Sequence, residues 1–251
     1  MRLHRFYVPE SIGPRTELSI RSAELVNQIH RVFRLKAGDS VVLFDGSGSD
    51  YECVIDGFGD ESKIHSESII RLHVAATKRS PFMPARDIYL CAAIVKKDTF
   101  EWIVEKATEL GVTHIIPVMA ERSEKKSLNE KRLQKIAVEA SEQSGRGTIP
   151  KIDTIMTLKE AIECLDGKRK MEDGKEELEL LAFHTDAEAF KKDSVSESAP
   201  LGVFIGPEGG WSLDEIDMFH KDKISVACLG NQILRAETAV IAALSQVVFH
   251  N

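Results

Sequence analysis

From residue 88 onward the chain repeats one pattern. A short apolar run is followed by a longer stretch with helical spacing, and then by another apolar run. Residues 88–95, 112–118, 180–183, 201–205 and 224–229 are runs of this kind. Their length suits strands rather than helices. Between them, 98–110, 128–144, 158–165 and 236–249 predict helices, as does the stretch opened by Ser212. Leu133, Ile136, Ala137 and Ala140 fall on one face of 128–144. Asp98 with Glu101, and Ser212 with Glu215, have the spacing of a capping box, and Gly111 reads as a helix stop. Residues 166–179 are charged and predict a solvated loop. Strands alternating with helices build a parallel sheet covered on both faces. In such sheets ligands bind beyond the carboxyl ends of the strands.

Residues 1–75 follow a different rule. Short strands at 41–44, 51–55 and 68–75 are separated by turn residues such as Asp45-Gly46-Ser47-Gly48. That pattern predicts a small β-barrel. The stretch 78–84, with two prolines, reads as a linker. The expected organisation is a barrel over 1–75 and an α/β domain over 76–251.

Composition narrows the function. The 251 residues are 43% hydrophobic and 29% charged, ordinary for a folded globular chain. No apolar run approaches the roughly 20 residues a membrane span needs, and the first residues lack a signal-peptide core. Cys53, Cys91, Cys164 and Cys228 have no ligand spacing, which argues against a structural metal and for a reducing cytoplasm. The net charge is −7, and residues 1–80 are balanced, so the acidity lies in the remainder. That charge speaks against a nonspecific polyanion binder but leaves room for local basic patches.

The rule that ligands bind beyond strand carboxyl ends directs attention to three loops, His184-Thr185-Asp186, residues 206–210 and residues 230–235, and the last two carry the clearer signals. Gly206-Pro207-Glu208-Gly209-Gly210 follows one apolar run and precedes a capped helix. It is neither a dinucleotide fingerprint nor a phosphate loop, so a ligand without phosphate, read by backbone groups, suits it better. A plain tight turn packing a helix onto the sheet would use the same residues. Leu229-Gly230-Asn231-Gln232-Ile233-Leu234-Arg235 follows the next run. Arg235 at the start of an apolar helix opposes the helix dipole and requires a local reason. An ordinary ion pair with Glu237 would supply one.

Taken together, the residues 205–212 and 229–239 closely resemble the RsmE family of SPOUT-class RNA methyltransferases. The resemblance extends over nearly the whole chain. Arg5-Phe6-Tyr7-Val8, the stretch 32–39 and Phe44-Asp45-Gly46 are similar to the family's PUA-like N-terminal barrel. The stretches 106–112, 121–123 and 139–146 are similar to its middle motifs. The resemblance implies an α/β SPOUT domain with a C-terminal trefoil knot, and a homodimer. It implies transfer of a methyl group from S-adenosylmethionine to N3 of a uridine in 16S rRNA of the small ribosomal subunit, in the cytoplasm, with no metal and no membrane.

Carried onto this sequence, the resemblance puts Phe183, His184, Gly206, Glu208, Gly209, Leu229, Gly230, Ile233 and Leu234 around the cofactor. Arg235 and Glu237 become the catalytic pair. Arg5, Arg31, Arg34, Lys36, Arg122, Gln143 and Arg146 become RNA contacts, with His30, Lys78, Arg79, Lys125 and Lys126 extending the track. Gln232 departs from the family, whose motif typically carries arginine there. Two alternatives remain open: a SPOUT-fold ribosome-assembly factor without catalysis, and a SPOUT methyltransferase for another RNA.

Overall fold

The computed structural model describes residues 3–59, 68–123, 127–169 and 177–248. The chain divides into two compact units, Met1–Met83 with Ser141–Thr148, and Pro84–Ala140 with Ile149–Asn251.

The first unit holds β1 (Arg5–Tyr7), β2 (Glu17–Arg21), α1 (Ala23–Val26), a π-helical turn over Asn27–Val32, β3 (Ser40–Phe44), β4 (Ser49–Phe58) and β5 (Ile69–Arg79). The strands form a curled five-stranded sheet in the order β1-β3-β4-β5-β2. Its core is built from Phe6, Ile12, Ile29, Leu43, Ile55, Ile70 and Leu72, among others. β5 runs to Arg79, past the expected boundary at 75.

Ser141–Thr148 belongs to this unit for visible reasons. The Glu142 carboxylate accepts the Tyr7 backbone N–H at 2.8 Å and the Gln28 amide at 3.1 Å. The Gly48 N–H donates to the Gly147 carbonyl.

The second unit contains β6 (Ile88–Ala93), α2 (Lys97–Glu109), β7 (His114–Met119), α3 (Glu130–Ser144), β8 (Lys151–Ile152), β9 (Met156–Thr157) and α4 (Leu158–Arg169). These are followed by β10 (Glu179–Phe183), β11 (Leu201–Ile205), α5 (Leu213–Lys221), β12 (Ser225–Ala227) and α6 (Ala236–Val248). α3 ends inside the first unit. The strands form a seven-stranded parallel sheet in the order β12-β10-β11-β6-β7-β8, with β9 also on β7.

The apolar runs were legible because β6 and β11 are buried along their whole length. Alternate residues feed opposite faces. Leu90 and Ala92 join a core with residues of α2, α3 and α6; Cys91 and Ala93 join one with residues of α4 and α5.

Some details differ from expectation. The capping box at Asp98 does not form: α2 starts at Lys97, with Lys96 as a cap that makes no side-chain bond. The box at Ser212 does form, with both reciprocal bonds present. α4 runs on to Arg169, into the stretch expected to be loop, and 170–176 lie outside the described residues.

One buried cation ties the second unit's ends together. Arg86 is 8% exposed and donates to the carbonyls of Ser196, Ala199 (3.1 Å) and Val247 (2.8 Å). Val247 lies in the last turn of α6, where carbonyls have no intrahelical partner and positive charge is favourable. Arg86→Met removes these donors and leaves buried acceptors unpaired, at a cost of about 3 kcal/mol. Urea unfolding should show the midpoint falling accordingly; an unchanged midpoint would mean that water replaces the guanidinium without loss.

Candidate cofactor and RNA site

The site is set by strand register. Phe183 pairs with Ile205 on one side and with Ala227 on the other, and Ile205 pairs with Ala92. β10, β11 and β12 therefore end in one row, and their following loops leave the sheet together. They enclose a cavity of about 290 Å³.

Every residue expected around the cofactor lines this cavity. Phe183 and His184 come from the first loop, and Gly206, Glu208 and Gly209 from the second. Leu229, Gly230, Ile233 and Leu234 come from the third. Gln232, Ala236 and Ala239 also line it, so the first turn of α6 closes one side.

The glycine loop is held from two directions. Trp211 is 2% exposed, and its indole N–H donates to the Phe183 carbonyl at 3.2 Å. A Cβ on Gly206 would lie 3.2 Å from the Trp211 ring, tighter than ordinary contact, which accounts for glycine at that position. This hydrogen bond, from a residue just past the glycine loop to a neighbouring strand end, left no signal in the sequence.

Glu215, 5% exposed, is the second anchor. One carboxylate oxygen accepts the Ser212 N–H at 2.8 Å and the other accepts the Glu121 N–H at 2.9 Å. The capping box predicted the first bond. The second, to the loop after β7, was not legible.

Arg235 and Glu237 flank Ala236 at the start of α6. The Arg235 carbonyl accepts the Ala239 N–H at 2.8 Å, and its side chain is exposed. Glu237 is half-buried, and its Oε2 is buried without a hydrogen-bond partner. Neither side chain is among those lining the cavity.

The expected RNA residues separate into groups. Arg31, Arg34 and Lys36 are exposed in the first unit, as are His30, Lys78 and Arg79; Gln143 is exposed at the end of α3. Arg5 and Arg146 are not surface cations. Arg5 forms an ion pair with Asp50 at 2.6 Å, with side chains only 7% and 11% exposed, and donates to the Arg146 carbonyl. Arg146 is 3% exposed, and burial pushes its guanidinium down to about 10. The bond from Arg5 to the Arg146 carbonyl helps hold Ser141–Thr148 within the first unit, and neither guanidinium is exposed as a basic surface contact would be. Arg122 lines the cavity in the second unit and donates to the Gly209 carbonyl at 2.7 Å. Lys125 and Lys126 lie outside the described residues.

Among the described residues no group of His, Cys, Asp and Glu could hold a metal, and no helix is long and apolar enough to cross a membrane.

A parallel sheet carries this glycine-lined cavity at its strand ends, and the whole of that α/β part, residues 83–248, matches an RNA methyltransferase domain. An RNA methyltransferase PUA domain matches residues 29–62. The chain is 30% identical to ribosomal RNA small subunit methyltransferase E of Rickettsia conorii, over 98% of this chain and 96% of that protein. It is also 30% identical to the protein of the same name from Synechocystis, over 95% of this chain and 75% of that one. The structure resembles ribosomal RNA small subunit methyltransferase E of Neisseria gonorrhoeae, solved bound to S-adenosyl methionine. The TM-score is 0.81 at 26% identity, covering 97% of this chain and 96% of that one. The chain belongs to the ribosomal RNA small subunit methyltransferase E family.

Glu215→Gln keeps the shape but replaces one acceptor oxygen with a donor facing a backbone N–H. We expect a loss of about 2 kcal/mol in unfolding free energy, together with weaker binding of S-adenosylhomocysteine by calorimetry. Unaltered stability and affinity would show that the glycine loop does not depend on this carboxylate.

Proposed function

We propose that this protein methylates N3 of a uridine in 16S rRNA of the small ribosomal subunit, using S-adenosylmethionine. The observation that carries the reading is the single cavity shared by the three loops after β10, β11 and β12. Its lining suits a cationic nucleoside. Phe183, Ile205, Leu229 and Leu234 offer apolar surface for a base, and the glycines leave backbone groups within reach. The charged groups lining it are Arg122, Asp186 and Glu208, an acidic balance that fits a sulfonium better than a phosphate.

When bound, the cofactor supplies a methyl group already activated by positive sulfur. What remains for the chain is the uracil. Its N3 carries a proton and is a poor nucleophile until that proton leaves. Arg235, at the mouth of α6, is assigned to stabilise the negative charge left on N3 and the flanking carbonyls. Glu237, whose Oε2 has no other hydrogen-bond partner, is assigned to accept the proton or hold Arg235 in place. The glycine loop and α6 exclude water and fix alignment.

RNA would approach over Arg31, Arg34 and Lys36, whose exposed charges position phosphates without reading sequence. A splayed-out uridine then enters the site. The same reading has the enzyme act in the cytoplasm as a homodimer. It also keeps the two units as an RNA-binding PUA-like part and a catalytic part with the knotted SPOUT topology.

Mass spectrometry of 16S rRNA from cells lacking this protein should reveal the loss of one N3-methyluridine, restored by the wild-type gene. An unchanged modification profile would overturn the substrate. Arg235→Ala should reduce kcat at least about 100-fold while S-adenosylhomocysteine affinity changes less than about threefold. Near-normal turnover in that variant would remove Arg235 from the mechanism.

A further inference from the structure

The cavity carries one feature that the methyl-transfer chemistry leaves unused. Arg122 sits on the loop after β7, and its guanidinium is turned onto the glycine loop. Nη1 donates to the Gly209 carbonyl at 2.7 Å and approaches the Trp211 carbonyl at 3.5 Å. The aliphatic stem packs on Gly209, where a Cβ would come within 3.3 Å of Arg122 Cδ. Both bonds use Nη1 and go to neutral carbonyl oxygens. Among the described residues no carboxylate lies within ion-pair distance of this guanidinium.

A sulfonium nucleoside of this type ends in an amino acid, which carries a carboxylate and an ammonium. Each loses hydration on entering the cavity and needs a partner of opposite charge. Arg122 is the arginine lining the cavity, and no lysine lines it; Glu208 and Asp186 are the carboxylates. We propose that Arg122 binds the α-carboxylate of the cofactor's amino-acid half, with Glu208 or Asp186 receiving the α-ammonium. Arg122 is then a specificity residue for the cofactor rather than part of the RNA track. This assignment rests on the cofactor reading given above. It also explains why a cationic side chain is latched to the glycine loop. The bond to Gly209 holds the fork in position before the ligand arrives, so less side-chain entropy is lost on binding.

The test uses calorimetry on the full chain with two ligands, S-adenosylhomocysteine and its decarboxylated counterpart, which keeps the amine. In the wild type the carboxylate-bearing ligand should bind more tightly. In Arg122→Ala the ratio of the two affinities should fall about tenfold, with the decarboxylated ligand losing less than about threefold. Equal losses for both ligands would make Arg122 a loop latch only and overturn the assignment. Unchanged affinities with weakened rRNA binding would overturn it in favour of a phosphate contact. Wild-type protein that binds neither ligand would instead overturn the cofactor reading beneath it, an outcome distinct from either result in the variant.

Discussion

The shared register of β10, β11 and β12 is the constraint on which the site depends. Hydrogen-bonded neighbours in a parallel sheet cannot slip by one residue without turning every side chain to the other face. In this sheet both faces are filled, so register is fixed by packing on two sides at once. Phe183, Ile205 and Ala227 are held in one row, and the loops beyond them begin level with one another. The cavity is thus a consequence of core packing. No side chain in the loops has to create it; they have only to avoid filling it.

How the loops avoid filling it is a matter of a few polar contacts to backbone. The Trp211 indole fastens the glycine loop to the end of β10, and the Glu215 carboxylate fastens the same loop to the segment after β7. Both groups are almost fully buried, where an unpaired donor or acceptor is costly, so each contact is strongly specified. The α6 start is fixed less tightly. Ile233 is 85% exposed, and Arg235 is exposed beside it. The buried anchors thus lie on the glycine loop, while Arg235, assigned to the uracil, and Ile233, assigned to the cofactor, are both exposed.

Much of this was legible in the sequence, for identifiable reasons. Strands buried on both faces read as unbroken apolar runs, so β6 and β11 were found, the latter at its full extent. The capping box at Ser212 was found because its residues bond to one another locally. The box at Asp98 failed by the same logic: the spacing is a local signal, and α2 begins one residue earlier with no side-chain cap. β1, β2 and the helical turn between Ala23 and Val32 passed unnoticed, being short and partly exposed. Charge was the least legible property. Arg5 and Arg146 read as surface cations, yet both side chains are buried: Arg5 because its partner, Asp50, lies far away in sequence, while Arg146 bonds to Thr148 only two residues on and its burial left no local signal.

That last error bears on the domain boundary. Residues 141–148 were assigned by position to the α/β part, and the structure gives them to the first unit. The reason is electrostatic as much as topological. Glu142 satisfies a strand N–H of β1 and the Gln28 amide, and the Arg146 carbonyl receives Arg5. A segment that supplies buried acceptors to another part of the chain cannot be recognised from its own hydrophobic pattern. The middle motif 139–146 therefore has a structural explanation independent of RNA. Glu142 bonds to Tyr7 and Gln28 and Arg146 is buried, while Gln143 between them is exposed and has contacts of its own. A motif whose members point to such different surroundings is better understood as a structural joint carrying one outward residue than as a contiguous binding surface.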